Sequence, residues 1–500
     1  MIKVIKEITK NEFKDWLYHI DINDKNLYEE LENSNMVGIF QLTGNTAKRL
    51  VEDIHPKNFD EVNAVNAMAR PGPIENASVY EARKNGAPSP YPEIMNEILK
   101  DTYFVPIFQE QIMEIFHKVG GFTLEEANEV RGLMKKLGKL EKDPEDLKKW
   151  NRVVKKFVHS AMKNNINETM AKKIANELVS FSSYSFNLSH STSYTYIAIM
   201  TLYLSMYFRK YFYSSFASQE DDKKLIGVLN SIKAQGLEIL PPDVNKSDIY
   251  FKPVFQNQIL FPLSKIKHIS DRSAAVIVES APYINFFDFI MKTRSRIITS
   301  SVIKALISAG AFDWFNENRK KMLFIFNKFW EKKKAVKIEE KLRVIYKTAV
   351  EEADRIPGLE TNTNDLMEYE KEYYGFNFFT TLFTKEMTDA FIKMSERGLV
   401  NLDFYSVSAS GKKVPVVVNL TRIFNDKNGN EMAFIEIQDM FGNKEKIPIF
   451  HSYFKVIGNE IISNKMYLMN LFKSDDGKVM FGQNGWRDNE FKIKRFIREI

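Results

Sequence analysis

Three places in the sequence gather side chains suited to holding an anionic ligand. Arg70 heads the turn Arg70-Pro-Gly-Pro73, where two prolines fix the backbone. RGLMKKL (131–137) sets Arg131 and Lys135 four residues apart, on one helical face, with Lys136 beside them. SYSFNLSHSTSYTY (183–196) crowds hydroxyls and aromatics around Asn187, Ser189, His190 and Tyr194, which raises the question of a catalytic cluster. Gln109, Glu110 and Gln111 follow Pro106 at the start of a helical pattern. Lys148, Lys149, Arg152, Lys155 and Lys156 form a basic stripe at helical spacing, the arrangement that follows a phosphate backbone. Each feature also has an ordinary reading: an arginine at a turn, a solvated helix face, a hydrogen-bonded core histidine. Paired carboxylates are harder to find. Asp60 and Glu61 are adjacent and point in different directions on a helix, and Asp21-Ile-Asn-Asp24 is an acidic turn.

The elements that must position these residues are mostly helices. Five hundred residues exceed one core, so two to four domains are expected. A hydrophobic content of 44%, 27% charged residues and a net charge of +6 describe an ordinary folded protein, compatible with nucleic acid. The absence of cysteine excludes disulfides, thiolate zinc sites and a cysteine nucleophile. No secretory leader is visible at the start. The most apolar span, YIAIMTLYLSMYF (196–208), is shorter than the roughly 20 residues a bilayer needs, so a buried helix and a cytoplasmic protein are expected.

Residues 1–35 read as helical around the turn DINDKN, GIFQL (38–42) as a short strand, and 94–215 as strongly helical. TLEEANEVRGLMKKL (123–137) opens on a threonine cap with early acids and ends on bases. The double proline in LEILPPDVNKSD (237–248) ends that region, and QNQILFPLSKIKHI (256–269) reads as strand then turn. After lysine-rich and helical stretches, VPVVVNLTRIF, NGNEMAFIEIQDMFGN and KIPIF alternate with a turn at Asn428-Gly429 and predict a small β-barrel or sandwich.

Eight segments fall in a telling order: Gly38-Ile-Phe-Gln-Leu42, Ala69-Arg-Pro-Gly-Pro73, Val105-Pro-Ile-Phe-Gln-Glu-Gln-Ile-Met113, Gly121-Phe-Thr-Leu-Glu-Glu-Ala127, Phe186-Asn-Leu-Ser-His-Ser191, Leu240-Pro-Pro-Asp-Val-Asn245, Ile307-Ser-Ala-Gly-Ala-Phe-Asp313 and Met432-Ala-Phe-Ile-Glu-Ile437. Together they resemble the later part of the C-family replicative DNA polymerases, the bacterial DNA polymerase III alpha subunit. The resemblance implies a multidomain α+β chain: mainly α-helical fingers and a helix-hairpin-helix region, followed by a C-terminal β-barrel (OB-fold). The boundaries it implies are a palm-edge remnant at 1–70, fingers at 71–235, a clamp-binding and helix-hairpin-helix region at 236–320, a helical connector at 321–410 and the OB-fold at 411–500.

The same resemblance assigns roles. Arg70, Arg131, Lys135 and Lys136 are expected at the triphosphate, Gln109 and Gln111 at the floor of the nucleotide pocket. Asn187, Ser189, His190 and Tyr194 are expected to form the sugar-selecting loop, His190 excluding a ribose 2′-hydroxyl. DNA contacts are expected from the stripe Lys148, Lys149, Arg152, Lys155 and Lys156 and from Lys265, Lys267 and Arg272 at the helical hairpin. Phe434 and Phe441 are candidates for a single strand on the OB-fold. The clamp motif is unassigned, since Gln438-Asp-Met-Phe441 reads as barrel structure. The chain departs from the family pattern at Gly132 (an arginine), Leu188 (a lysine), and His268 and Ser270 (both glycines). In the family three palm aspartates, upstream of the matched segment, hold two magnesium ions. The expectation is therefore a C-terminal subunit of a split polymerase, a DNA-directed nucleotidyltransferase only with a palm-bearing partner that mainly holds the Mg. The other expected partners are primer-template, dNTP and a sliding clamp, with no membrane. The alternative is a non-catalytic DNA-binding replication accessory protein derived from a polymerase.

Overall fold

Capping chemistry and helical periodicity set most of the architecture. The structure is a computed structural model describing residues 20–33, 36–137, 144–315, 317–333, 338–380, 385–405, 407–440, 443–463, 465–474, 477–483 and 490–500. The helical expectation for residues 1–19 lies outside this set, as does Phe441. The chain divides into two units, Met1–Phe216 and Ala217–Ile500.

The first unit contains α1 (Lys25–Asn33), α2 (Asn45–Ile54), α3 (Phe59–Met68), α4 (Ala77–Lys84), α5 (Glu93–Leu99), α6 (Gln109–Lys118), α7 (Leu124–Leu137), α8 (Pro144–Lys163), α9 (Glu168–Tyr184) and α10 (Leu188–Tyr207). Side-chain caps open several of them. Asn58, Asn167 and Asn187 each accept a backbone N–H three residues on. Thr123 and Glu126 cap each other reciprocally before α7, at 2.8 and 3.1 Å. α8 turns Trp150, Phe157, Val158 and Ala161 inward and its basic residues outward. Phe116 meets Phe122, Trp150 and Phe157 edge-on at 5.3 to 6.4 Å between ring centroids. Gly120 is required there: a Cβ would lie 2.6 Å from both the Phe116 carbonyl and the Phe157 ring.

Gly38–Leu42 is not a strand. Left-handed Met36, Gly38 and Gln41 (φ +46, +82 and +63°) coil it into successive turns closed by Ile39 N–H to Met36 and Leu42 N–H to Ile39. Ile39 and Leu42 are buried, and the segment's backbone has no neighbouring strand to pair with among the described residues.

α11 (Arg209–Gln219) crosses the division between the units. Beyond it come α12 (Asp222–Ala234) and a small sheet in which β3 (Gln258–Leu260) pairs parallel with β1 (Glu238–Leu240) and antiparallel with β2 (Lys252–Pro253). The expected strand-then-turn at 256–269 is present. Seven helices follow: α13 (Asp271–Ser280), α14 (Phe286–Lys292), α15 (Ser300–Ser308), α16 (Arg319–Lys333), α17 (Glu339–Asp354), α18 (Thr363–Tyr373) and α19 (Lys385–Glu396).

The C-terminal segment is an antiparallel sheet of β4 (Lys412–Asn425), β5 (Glu431–Asp439), β6 (Lys444–Ile449), β7 (Lys465–Lys473), β8 (Val479–Phe481) and β9 (Ile497–Glu499). Its order is β6-β5-β4-β7-β8, with β9 also on β7. Gly429 (φ +80°) makes the β4–β5 turn read from Asn428-Gly429. Along β5, Ala433, Ile435 and Ile437 point inward while Met432, Phe434 and Glu436 point out. Helices α20 (His451–Ile457) and α21 (Glu490–Ile493) add Phe454, Ile457 and Ile493 to this core. β6 and β8 lie alongside each other, but among the described residues no ladder joins them, so the sheet rolls up without hydrogen-bonded closure. The overall class is as expected: mainly helical, then β.

Candidate functional site

Arg70, more than a hundred residues earlier in the sequence, meets His190 and Tyr194 through rings. Arg70 follows α3, and its guanidinium carbon sits 3.5 Å from the centroid of Phe186. Phe186 contacts His190 edge-on at 5.4 Å, His190 lies 4.1 Å from Tyr194, and Tyr194 meets Phe40 at 5.3 Å. The result is a continuous ladder, Arg70–Phe186–His190–Tyr194–Phe40, with His190 exposed on it. A guanidinium over a ring face is held by the ring quadrupole. Burial lowers the Arg70 pKa from its ordinary value, with Tyr194 opposing the shift, and a guanidinium remains charged in proteins.

The loop before α10 is fastened to the start of α6. Phe108 and Phe186 form an isolated parallel bridge. Gln109 is the joint: its N–H donates to the Phe186 carbonyl (2.8 Å), its side-chain amide to the Ser185 carbonyl (3.1 Å), and its Oε1 accepts from Arg131 (3.0 Å). Arg131 is braced further by Asn128, at 2.9 and 3.2 Å. Glu110 anchors the first turn of α10, accepting from the Asn187 side chain (2.8 Å) and from Leu188 N–H (2.9 Å). Asn187 Oδ1 in turn accepts from His190 N–H (2.9 Å) and from the Ser189 hydroxyl (2.8 Å). Asn187 and Ser189 thus shape the loop.

Not every expected residue joins this face. Gln111 is buried, its Oε1 accepting from Ile107 and Phe108 N–H (3.0 Å each) and its amide donating to Thr102 (2.8 Å), so it holds the strand-like entry to α6. Lys136 lines a different cleft, of about 530 Å³ between α7 and α8, with Phe122, Glu129, Gly132, Leu133 and Lys149. The side chain of Lys135 lies outside the described residues. Phe186 and Glu110 were the unassigned contributors. The four-residue spacing Phe186, His190, Tyr194 was the available signal for the first.

The basic stripe on α8 is exposed, as its periodicity requires. Lys148 pairs with Glu145 (3.2 Å), and Lys156 pairs with Glu126 (2.8 Å) while covering Phe122 at 4.4 Å. Lys149, Arg152 and Lys155 carry no ion pair among the described residues. At the helical hairpin, Lys267 and Arg272 are exposed, but Lys265 is not freely presented: it bonds Asp222 (2.9 Å) and the Glu220 carbonyl (2.8 Å). His268 takes the left-handed conformation (φ +72°), and Lys267 N–H donates to the Tyr373 carbonyl at 2.8 Å. On the sheet, Phe434 stacks on Phe424 at 5.2 Å, with Lys446 over Phe434 and Arg422 over Phe424 at 5.3 and 5.7 Å.

Among the described residues the carboxylates nearest this face do not form a magnesium site. Glu61 is buried and engaged by Lys84 (2.6 Å), Tyr103 (2.6 Å) and Lys57 N–H (2.7 Å), whereas Asp60 is exposed. Among the described residues no three His, Asp or Glu side chains converge to hold a metal. Nor is any described helix long and apolar enough to cross a membrane. What the arrangement sets side by side is two guanidinium groups, one over a ring and one held by amides, and a row of planar side chains.

Comparison with known proteins gives this geometry a context. Residues 1–165 match the bacterial DNA polymerase III alpha subunit finger domain, and residues 236–322 match a helix-hairpin-helix motif. The DNA polymerase III subunit alpha of Aquifex aeolicus is 30% identical over 492 residues, covering 95% of this chain and 40% of that protein. Its counterpart in Staphylococcus epidermidis is 30% identical over 486 residues, covering 94% and 43%. That of Halalkalibacterium halodurans is 29% identical over 444 residues, covering 86% and 38%. The chain thus spans about two fifths of the length of these curated relatives. The finger motifs, the helical hairpin and a likeness sustained along nearly all 500 residues identify the chain as a DNA polymerase III alpha-type region of the C-family.

Proposed function

We propose that this chain supplies the nucleotide pocket and part of the DNA grip of a DNA-directed DNA polymerase. The observation that carries this reading is the ladder of Arg70, Phe186, His190 and Tyr194, tied through Gln109 to Arg131. Two guanidinium groups suit the phosphates of a nucleoside triphosphate, because planar, always charged donors match phosphate oxygens. Planar rings suit the sugar and base. His190, exposed beside Tyr194, stands against the sugar, where bulk near the 2′ position rejects ribose. Glu110 and Asn187 hold the loop in place, and primer-template DNA follows the basic face of α8.

The magnesium-holding carboxylates, and with them the bond-making step, come from polymerase sequence outside these 500 residues, which we place on a separate palm-bearing chain. A sliding clamp is a further proposed partner, and the cytoplasm the proposed location. Primer extension by this chain alone, and mixed with the palm-bearing polypeptide, tests the reading. Extension by the mixture only is expected. Extension by the chain alone overturns the split arrangement. Tight complex formation with no extension favours the non-catalytic DNA-binding alternative. In the active mixture His190→Ala is expected to raise ribonucleotide incorporation about tenfold, the scale of losing one modest steric or hydrogen-bond discrimination.

A further inference from the structure

A buried polar layer joins the two helices that carry the ladder. α3 presents Asn63 and Asn66; α10 presents Ser191, Thr192 and Thr195. Asn66 Nδ2 donates to Thr195 Oγ1 (2.9 Å), and Thr195 Oγ1 donates to Asn63 Oδ1 (3.1 Å). Asn63 Nδ2 then donates to Thr192 Oγ1 (3.4 Å), and the Ser191 hydroxyl donates to the Asn63 carbonyl (3.3 Å). Ser191 and Thr195 are fully buried, and Asn63 and Asn66 are 3% and 8% exposed. Each of these donors meets an acceptor on the facing helix.

Such a layer is a poor way to gain stability. Apolar residues of the same shape would do as well, because each buried amide and hydroxyl gives up water to make its bond. Even here Asn66 Oδ1 has no partner among the described residues. The best-attested use of a lone polar layer is to fix register. α10 needs that. It has apolar residues on its exposed face as well, burying Ala198, Ile199 and Leu202 while exposing Tyr196, Ile197 and Tyr207, so apolar burial alone does little to choose among registers. Sliding α10 by one turn would bring Ile199 to the place of Thr195 and Tyr196 to that of Thr192, stranding both asparagines.

The register matters because each helix carries part of the ladder. Arg70 lies four residues beyond Asn66, just past the end of α3, and His190 and Tyr194 are the immediate neighbours of Ser191 and Thr195. We infer that Asn63, Asn66 and Thr195 are positioning residues, setting where His190 and Tyr194 stand relative to Arg70 and thereby the sugar selectivity of the site. The selectivity half rests on the nucleotide-binding reading above; the positioning half does not.

The test uses the full chain. An all-apolar layer, Asn63→Leu with Asn66→Leu and Thr195→Val, is compared with Thr195→Ser, which keeps the hydroxyl. With 13C-labelled histidine, the His190 Hε1 resonance, assigned by its loss in His190→Gln, reports the rings on either side. Expected is a melting temperature no lower than wild type for the all-apolar variant, with the His190 resonance displaced or split, and a wild-type resonance for Thr195→Ser. An unmoved resonance in the all-apolar variant overturns the positioning role, whatever the polymerase does. If that variant does not fold, Asn66→Leu alone is read by the same resonance: displacement supports the positioning role and an unmoved signal overturns it. In the mixed polymerase, a ribonucleotide-to-deoxyribonucleotide ratio raised about tenfold is expected for the displaced variant. A displaced resonance with no sugar discrimination by the wild-type mixture would remove the nucleotide reading and leave the positioning role standing.

Discussion

The two helical regions keep their expected cations in opposite ways. In residues 1–216, Arg70, Arg131 and the pair His190 and Tyr194 come from three separate stretches and are drawn into one partly exposed face, with Arg70 set over Phe186 and Arg131 held by Gln109 and Asn128. In the turns of residues 264–270 and the start of α13, within the stretch that matches a helix-hairpin-helix motif, the cations are dispersed. Lys265 is paired with Asp222, and the Lys267 amide is closed off by the Tyr373 carbonyl. A helix-hairpin-helix grips phosphate through free backbone N–H groups near a glycine turn. Here His268 adopts the glycine-like conformation without being glycine, and the end of α18 occupies a neighbouring amide. Retaining a motif's turn is therefore not the same as retaining its donors. The first region holds two guanidinium groups from behind with a ring and with amides; the second ties up Lys265 and the Lys267 amide while leaving the Lys267 and Arg272 side chains exposed.

The largest expected effect comes from undermining the first region's support. Lys84 bonds buried Glu61 at 2.6 Å and the Ile54 and His55 carbonyls at 2.8 and 2.7 Å. Lys84→Ala should cost about 3–5 kcal/mol in urea unfolding, because it leaves a buried carboxylate without its partner. Burial opposes ionisation of Glu61, but hydrogen bonds from Lys84, Tyr103 and the Lys57 backbone, with the Lys84 charge, outweigh it and hold its pKa below the usual 4.5. The unfolded chain then binds the proton more readily. This contribution is present above the unfolded value and disappears as pH falls through the lower folded one. The wild-type chain should lose stability over that acid range, and Lys84→Ala should lose less there, as read by denaturation at successive pH values.

Glu110→Ala should cost about 1–2 kcal/mol, less than the full value of charged hydrogen bonds because the site is half-exposed. It should also loosen the α10 entry, seen as faster hydrogen exchange at Leu188 and His190; unchanged exchange there would detach Glu110 from the loop. His268→Gly sharpens the contrast from the other side. It should stabilise residues 217–500 by about 1 kcal/mol, relieving a left-handed non-glycine residue, yet leave duplex affinity within about twofold, since the Lys267 amide stays engaged. A large gain in affinity would show that the hairpin still reads phosphate. The smallest effect in free energy is on α8. Arg152→Ala with Lys155→Ala should lower the salt slope of DNA binding by about 2, one per lost phosphate contact, with little change in melting temperature.

Much of this fold was legible where local chemistry decides. Thr123 with Glu126, the turn at Asn428-Gly429 and the alternation along β5 each carry their structure in a few residues. Gly38–Leu42 was misleading because an apolar run fits a strand or a buried coil equally, and only three left-handed residues decide between them. The site was legible as residue types but not as contacts. Residue type alone does not place Phe186 under Arg70, or turn Gln111 inward to Thr102 and Lys265 toward Asp222. The Arg70 and Lys265 contacts follow from packing between segments distant in sequence, whereas the inward turn of Gln111 is a local cap of its own helix start that its residue type alone does not announce.

Arg131 offers the most direct measurement of the central claim. In primer extension by this chain mixed with the proposed palm-bearing polypeptide, Arg131→Ala should raise KM for deoxynucleoside triphosphate about tenfold or more, the effect of losing a charged phosphate contact of about 1.4 kcal/mol. Affinity for primer-template should stay as in wild type. An unchanged KM would contradict the account, because the guanidinium held by Gln109 and Asn128 would then be bracing the fold instead of meeting a nucleotide.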